Sequence, residues 1–168
     1  LALNRCLEQY FGLIKWYLQF DTTSKSFLHK NGYEEAKYRF VLNTALIQTA
    51  RDKAVETLKS FRKNKKENSI LILKRVSIRF DQRCYTFSKT TNVLTPFWLT
   101  LGLDGRQRIS LPIVFGERQK EQIEVAFRGE CQFKTVEMVK KESVWYAHFV
   151  LTKTVIFSEP EAVVAIDR

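Results

Sequence analysis

Two groups of residues in this sequence are of a kind that does chemistry. The first is a single carboxylate. The stretch EAVVAIDR runs five small or apolar residues, Ala162 to Ile166, straight into Asp167. An apolar run of this type reads as a strand buried on both faces, so the carboxylate emerges at a rigid strand end. It is either a polar cap on that strand or one member of a set of acids that grips divalent ions. The second group is a block of cations. Residues 51–89 carry 12 Lys and Arg against 4 Asp and Glu, although the whole chain has a net charge of +10. Residues 1–50 add an excess of only 2 positive charges, and residues 90–168 add none. Charge concentrated in this way is the electrostatic footprint of a polyanion binder. A solvated basic face without a partner and an anionic membrane surface are the alternatives. The candidate phosphate contacts are Arg51, Lys59, Arg62, Lys63, Lys65, Lys66, Lys74, Arg75, Arg79 and Arg83, with Tyr85 beside them as a candidate stacking residue.

Other chemistries find little support. The three cysteines, Cys6, Cys84 and Cys131, are odd in number and far apart, with no C-x-x-C, so neither a disulfide framework nor a zinc knuckle is expected. Reduced thiols fit a cytosolic compartment, and a cytoplasmic location is the expectation. His29 and His148 are remote from each other and from the cysteines. The apolar stretch YFGLIKWYLQF is interrupted by Lys15 and falls far short of the roughly 20 residues a membrane span requires. No membrane partner is therefore expected. A hydrophobic content of 45% is enough for a core. The chain begins at Leu1 without a Met and stops just after Asp167, and so reads as a piece of a longer protein.

The elements that must position these residues follow from hydrophobic period. Leu3, Leu7, Tyr10, Phe11, Ile14, Tyr17 and Leu18 recur at steps of three and four, which predicts an amphipathic helix over 3–20. DTTSKSFLHKNGY reads as a turn-prone connector with Asn31-Gly32 as its breaker. Residues 34–62 read as one long helix. At about 100° per residue, Phe40, Ile47, Ala50, Ala54, Leu58 and Phe61 share one arc, with Arg51, Lys59, Arg62 and Lys66 in the neighbouring arc. RKNKKENS is a charged linker. From residue 70 the period becomes two, through Val76, Ile78 and Phe80, then Tyr85 and Phe87, then Phe97, Leu99, Leu101 and Leu103. Asp104-Gly105 predicts a hairpin whose return strand carries Ile109, Leu111 and Ile113. A short helix is expected over 117–128, followed by two strands joined near Lys141 to Ser143. The fold class expected is α+β, with helices over 1–68, a small antiparallel β-barrel of OB-like type over 69–159, and a separate apolar strand over 160–168.

This order resembles the TnpB (OrfB) transposon-encoded family, relatives of the type V CRISPR effectors. ALIQTARDKAVETLKSFRK resembles the family's helix of small and basic residues before the barrel. VSIRFDQRCYTF and LTLGLDGRQRISLPI resemble its first barrel strands. VEMVKKESVWYAHFVLTKTV followed by VVAIDR resembles the last barrel hairpin running into the first strand of a RuvC-like nuclease. The likeness covers nearly the whole chain and about the first half of a family protein. Ala165 stands where the family usually has Gly.

Family members are RNA-guided DNA endonucleases, in which base pairing reads sequence and protein reads shape. The resemblance implies a recognition-like helical region over 1–68, a wedge-like barrel over 69–159 and the start of a RuvC-like domain over 160–168. It implies guide RNA and target DNA as partners. It further implies Asp167 as a catalytic and metal-binding carboxylate, and Mg²⁺ or Mn²⁺ as cofactor of the full-length parent, with none for this chain. The family's usual first barrel strand is not evident before Leu1. A barrel edge left open in this way would pair with another chain, so a homodimer through that edge is a further expectation.

The alternative from a different class is a stand-alone RNA or single-stranded nucleic-acid-binding module with an OB-like barrel. There Tyr85, Trp98, Trp145 and Tyr146 would be stacking platforms, the competing role for each being simple core packing. A protein–protein adaptor explains neither the charge concentration nor Asp167.

A RuvC-like site needs several carboxylates to hold two divalent ions about 4 Å apart. One carboxylate binds Mg²⁺ weakly because the ion keeps its waters. This chain alone is therefore expected to bind nucleic acid and leave DNA uncut with Mg²⁺ or Mn²⁺. In the full-length parent, Asp167→Ala is expected to abolish plasmid cleavage and spare RNA binding. Cleavage that survives the substitution would make Asp167 a strand cap.

Overall fold

The computed structural model describes residues 2–66, 69–105 and 107–154. Asp167 and the apolar strand expected over 160–168 lie outside them. Helix α1, Ala2–Leu18, forms where the helical period predicts it and buries Leu3, Cys6, Tyr10, Leu13, Ile14 and Tyr17 along one face. Helix α2, Lys25–Arg39, occupies the stretch expected to be a connector. Ser24 caps it by accepting a hydrogen bond from the Phe27 amide. The expected breaker Asn31-Gly32 lies inside the helix, for two reasons. Asn31 Nδ2 turns back to donate to the Phe27 carbonyl at 2.9 Å. Gly32 is buried, and a Cβ there would stand 3.2 Å from both Trp16 Cη2 and Tyr17 Cε1. The glycine lets α2 press its backbone against α1, and that contact offsets the roughly 1 kcal/mol a helical glycine costs.

The single helix expected over 34–62 is two helices. The chain leaves α2 in an extended conformation at Phe40 and re-enters helix as α3, Thr44–Asn64. The break is made by Asn43. Its Oδ1 accepts from the Leu46 amide at 2.8 Å, its own amide donates to the Leu103 carbonyl at 3.0 Å, and its Nδ2 donates to the Gly102 carbonyl at 2.6 Å. The first caps α3, and the other two reach outside the helix and cannot be made from within one. Lys66 lies beyond the helix end. Along α3, Ile47, Ala50, Ala54 and Leu58 are buried, as the apolar arc requires, and α3 packs on α1.

Six short strands follow. β1, Ile78–Asp81, β5, Gln132–Lys141, and β6, Val144–Thr152, form one antiparallel sheet in the order β1-β5-β6. β2, Tyr85–Lys89, β3, Phe97–Gly102, and β4, Arg108–Pro112, form a second in the order β2-β3-β4. The hairpins expected at Asp104-Gly105 and near Lys141 to Ser143 are β3-β4 and β5-β6. The short helix expected over 117–128 is α4, Glu117–Phe127.

The expected barrel is not closed. β1 and β2 are consecutive, yet β1 pairs with β5 and β2 with β3, so the turn Gln82–Cys84 hands the chain from one sheet to the other. The sheets meet through phenylalanines. Phe87 lies 4.6 Å from Phe149, 5.5 Å from Phe133 and 6.1 Å from Phe97 between ring centroids. Between β4 and β6 a groove of about 840 Å³ stays open, lined by Ile113, Phe115 and Ile123 on one side and Trp145, Ala147 and Phe149 on the other. Among the described residues the outer edges of β4 and β6 pair with nothing.

Asn43→Ala removes both the cap of α3 and the partner of a β3 carbonyl. It is expected to cost about 1–3 kcal/mol in urea unfolding. Asn43→Asp keeps the cap but not the amide donor and should fall between.

Candidate nucleic-acid interface

The basic block divides once side chains are placed. Arg51 donates through Nε and Nη2 to Asp52 Oδ1 at 3.0 and 2.8 Å, and its side chain is only 16% exposed. Arg62 donates to the Asp21 carbonyl at 2.7 Å and to Asp21 Oδ1 at 2.8 Å. Arg79 is held on both sides, by Glu137 at 2.8 Å and by a two-pronged contact with Glu56 at 2.8 and 2.9 Å. Arg83 bonds Asp81 and, at 2.8 Å, Gln48. Lys59, Lys63, Lys65, Lys66, Lys74 and Arg75 are all exposed and have no ion pair among the described residues. Within this block the unpaired cations therefore lie between residues 59 and 75, at the end of α3 and on the irregular approach to β1.

The paired residues work as struts. Lys53 of α3 reaches both Ser77 Oγ and Glu137 Oε2, and Ser77 Oγ donates to the same carboxylate oxygen at 2.5 Å. Burial pushes the Glu137 carboxyl up, but Ser77, Arg79 and Lys53 outweigh it and hold the group at about 2. Lys53 is shifted down, because burial penalises its ammonium more than Glu137 supports it. The Arg79 guanidinium is shifted up, first by its bonds to Glu56. One level deeper, Tyr10 donates to Thr49 Oγ1 at 3.2 Å and Thr49 donates to the Arg79 carbonyl at 2.8 Å.

Two surface hollows touch the sequence candidates. Arg83 and Tyr85 line a polar cavity of about 260 Å³ with Arg108 and the start of α3. Tyr85 itself is half-buried and packs on the core. Lys74 and Arg75 line a larger hollow of about 600 Å³, whose other walls are Leu7, Glu8 and Phe11 of α1, Val76, and Lys140, Lys141 and Glu142 at the β5-β6 turn. Lys140 Nζ donates to Asn4 Oδ1 at 3.0 Å, a neutral partner, and Lys141 Nζ stands 5.3 Å from the Tyr146 ring centroid. Lys15 lies 4.3 Å from the centroid of Phe11. The basic pair Lys140-Lys141 is not among the sequence candidates. Its own segment is neutral, and only the fold brings it to Lys74 and Arg75. Of the other aromatic candidates, Trp98 donates from Nε1 to the Thr95 carbonyl at 2.9 Å, Trp145 packs on the core, and Tyr146 is 45% exposed.

Comparison with protein-family models gives no match, and comparison with curated proteins gives none either. Among the described residues no group of three or more His, Cys, Asp or Glu side chains is placed to hold a metal ion, and no helix is long and apolar enough to cross a membrane. The metal expectation rests on Asp167, outside the described residues. Cys6 and Cys84 are buried, and burial pushes each thiol up to about 12.

Glu137 titrates far below its ordinary value of 4.5. Its stabilisation is therefore fully present above that value and is lost as pH falls towards about 2. The urea midpoint is expected to drop over this window, by the equivalent of about 2–3 kcal/mol. Glu137→Gln should be less stable at neutral pH and should flatten this part of the profile.

Proposed function

We propose that this chain is the nucleic-acid-holding, N-terminal part of a TnpB-like RNA-guided DNA endonuclease. The observation that carries the reading is the cluster of Lys59, Lys63, Lys65, Lys66, Lys74 and Arg75, none of which has an ion pair among the described residues, whereas Arg62 in their midst is held by Asp21. Surface cations are commonly dispersed among acids, and here Arg51, Arg62, Arg79 and Arg83 are so neutralised. Cations without internal partners are the ones that release counterions from a phosphate backbone. In this reading guide RNA and target DNA lie along the end of α3 and the approach to β1, with helices and sheets reading backbone shape. Asp167 is the first carboxylate of a metal-dependent RuvC-like site that works with Mg²⁺ or Mn²⁺ in the full-length parent. The open edges of β4 and β6 accept a further strand, from a second copy or from the parent protein.

The test is a filter-binding titration with structured RNA across a range of salt. Replacing Lys59, Lys63, Lys65 and Lys66 together by Glu is expected to weaken binding strongly. The slope of log affinity against log salt should fall in magnitude by about 3. The same change at Lys30, Arg118, Lys120 and Lys153 should have little effect. Equal losses in the two sets, or salt-independent binding, would overturn the reading.

A further inference from the structure

The hollow between α1, residues 74–76 and the β5-β6 turn combines an apolar wall with a group of cations. One wall is apolar, made by Leu7, Phe11 and Val76. Its rim carries Lys74 and Arg75 from one segment and Lys140 and Lys141 from another, 65 or more residues along the chain. Of these, Lys74, Arg75 and Lys141 have no ion pair among the described residues, and Lys140 is bonded to the neutral Asn4 amide. Glu8 and Glu142 also line the hollow. Its volume of about 600 Å³ lies within the range of roughly 300–1,000 Å³ typical of small-ligand clefts.

A double helix presents its phosphates on a convex surface and keeps its bases stacked inside, so it has nothing to offer an apolar wall. An unstacked nucleotide offers a flat apolar base and a phosphate on the same unit. We infer that this hollow binds one unstacked nucleotide of a single strand. Its base lies on the Leu7, Phe11 and Val76 wall, and its flanking phosphates lie between the 74–75 and 140–141 cation pairs. The two carboxylates shape the choice. They repel additional phosphate, and they accept hydrogen bonds from exocyclic amino groups. Bases that carry an amino group, adenine, cytosine and guanine, are therefore preferred over uracil or thymine. An acidic peptide supplies negative charge but no flat ring for the wall, and it meets Glu8 and Glu142 as like charges.

This inference rests on the nucleic-acid reading above, and the experiment separates the two. Fluorescein-labelled single-stranded 12-mers of adenine, cytosine and uracil ribonucleotides, and a blunt 12-base-pair duplex, are titrated against the wild-type chain and Lys140→Gln/Lys141→Gln. Both substituted side chains are exposed, so the fold is expected to survive, and matching thermal melts check this. For the adenine and cytosine single strands the variant should bind about tenfold more weakly, and its salt slope should be smaller by about 1.4, the value for two lost single-strand phosphate contacts. Duplex binding should be unchanged. A strand with 2-aminopurine at one position should change fluorescence on binding wild type, and Phe11→Leu should reduce that change while retaining salt-dependent affinity. Single-strand binding unaffected by the double variant, or equal losses on duplex and single strand, overturns the nucleotide site while leaving the broader reading standing. No preference for amino-bearing bases overturns the role of Glu8 and Glu142. Competition by polyglutamate as effective as by the oligonucleotides, or no salt-dependent binding to any nucleic acid, overturns both.

Discussion

Helix α3 must satisfy buried polar groups on three neighbours at once, and the placement of the other elements follows from that. A buried hydroxyl left without a partner costs about 1–3 kcal/mol. Thr49 avoids this cost by accepting from Tyr10 of α1 and donating to the backbone of Arg79 in β1. Six positions earlier, Asn43 fastens the start of the same helix to the end of β3. One turn beyond Thr49, Lys53 reaches Ser77 and Glu137. A single rod thus sets the position of the helical layer against both sheets. The apolar contacts along α3 supply most of the favourable free energy. The polar ones are directional and specify the register at which the rod docks.

The same docking explains how the charge is apportioned. The arginines nearest the sheets, at 51, 79 and 83, meet carboxylates at Asp52, Glu56, Glu137 and Asp81. Such pairs keep half-buried charge from being stranded without partners. Where α3 runs past the last of these carboxylates only Arg62 finds a partner, Asp21, and the unpaired lysines begin there. Paired charge therefore gathers where α3 meets the sheet and unpaired charge beyond it, and a composition window cannot tell the two apart.

What was legible in the sequence was whatever local period controls. The stripe of α1, the short α4 and the two hairpins follow from spacing and turn chemistry alone. The break before α3 was hidden because Phe40 happens to stay in phase with Ile47 and Ala50, while the Asn43 bonds that enforce it run to Gly102 and Leu103, about 60 residues away. Asn31-Gly32 misled for a related reason, since the glycine answers to the rings of Trp16 and Tyr17 and not to its own turn preference. The alternation of β1 and β2 reads as one continuous meander, and only long-range pairing sends them to different sheets. On the candidate interface, the positions of Lys59 to Lys66 were legible as a charge run. The neutralisation of Arg62 and Arg79 was not, because their partners Asp21, Glu56 and Glu137 reside in other elements, while Arg51 and Arg83 fold back on the near neighbours Asp52 and Asp81, which spacing alone does not disclose.

The register of β1 on β5 has a consequence for the order in which this chain acquires its structure. Arg79 and Glu137 face each other across that ladder 58 positions apart in the chain, and the whole of the β2-β3-β4 sheet and α4 lies inside that loop. The inner sheet is a meander closed by short connections, so its ladders cost little loop entropy and can form as soon as they leave the ribosome. The β1-β5 ladder must close a loop several times longer, at a penalty that grows with the logarithm of its length. By the same argument the β5-β6 hairpin is local, and the addition of β1 to it is the step expected to come late. Until β1 is added, Arg79 and the Lys53 ammonium lack Glu137, and the chain passes through a stage more basic at its α3 face than the finished protein.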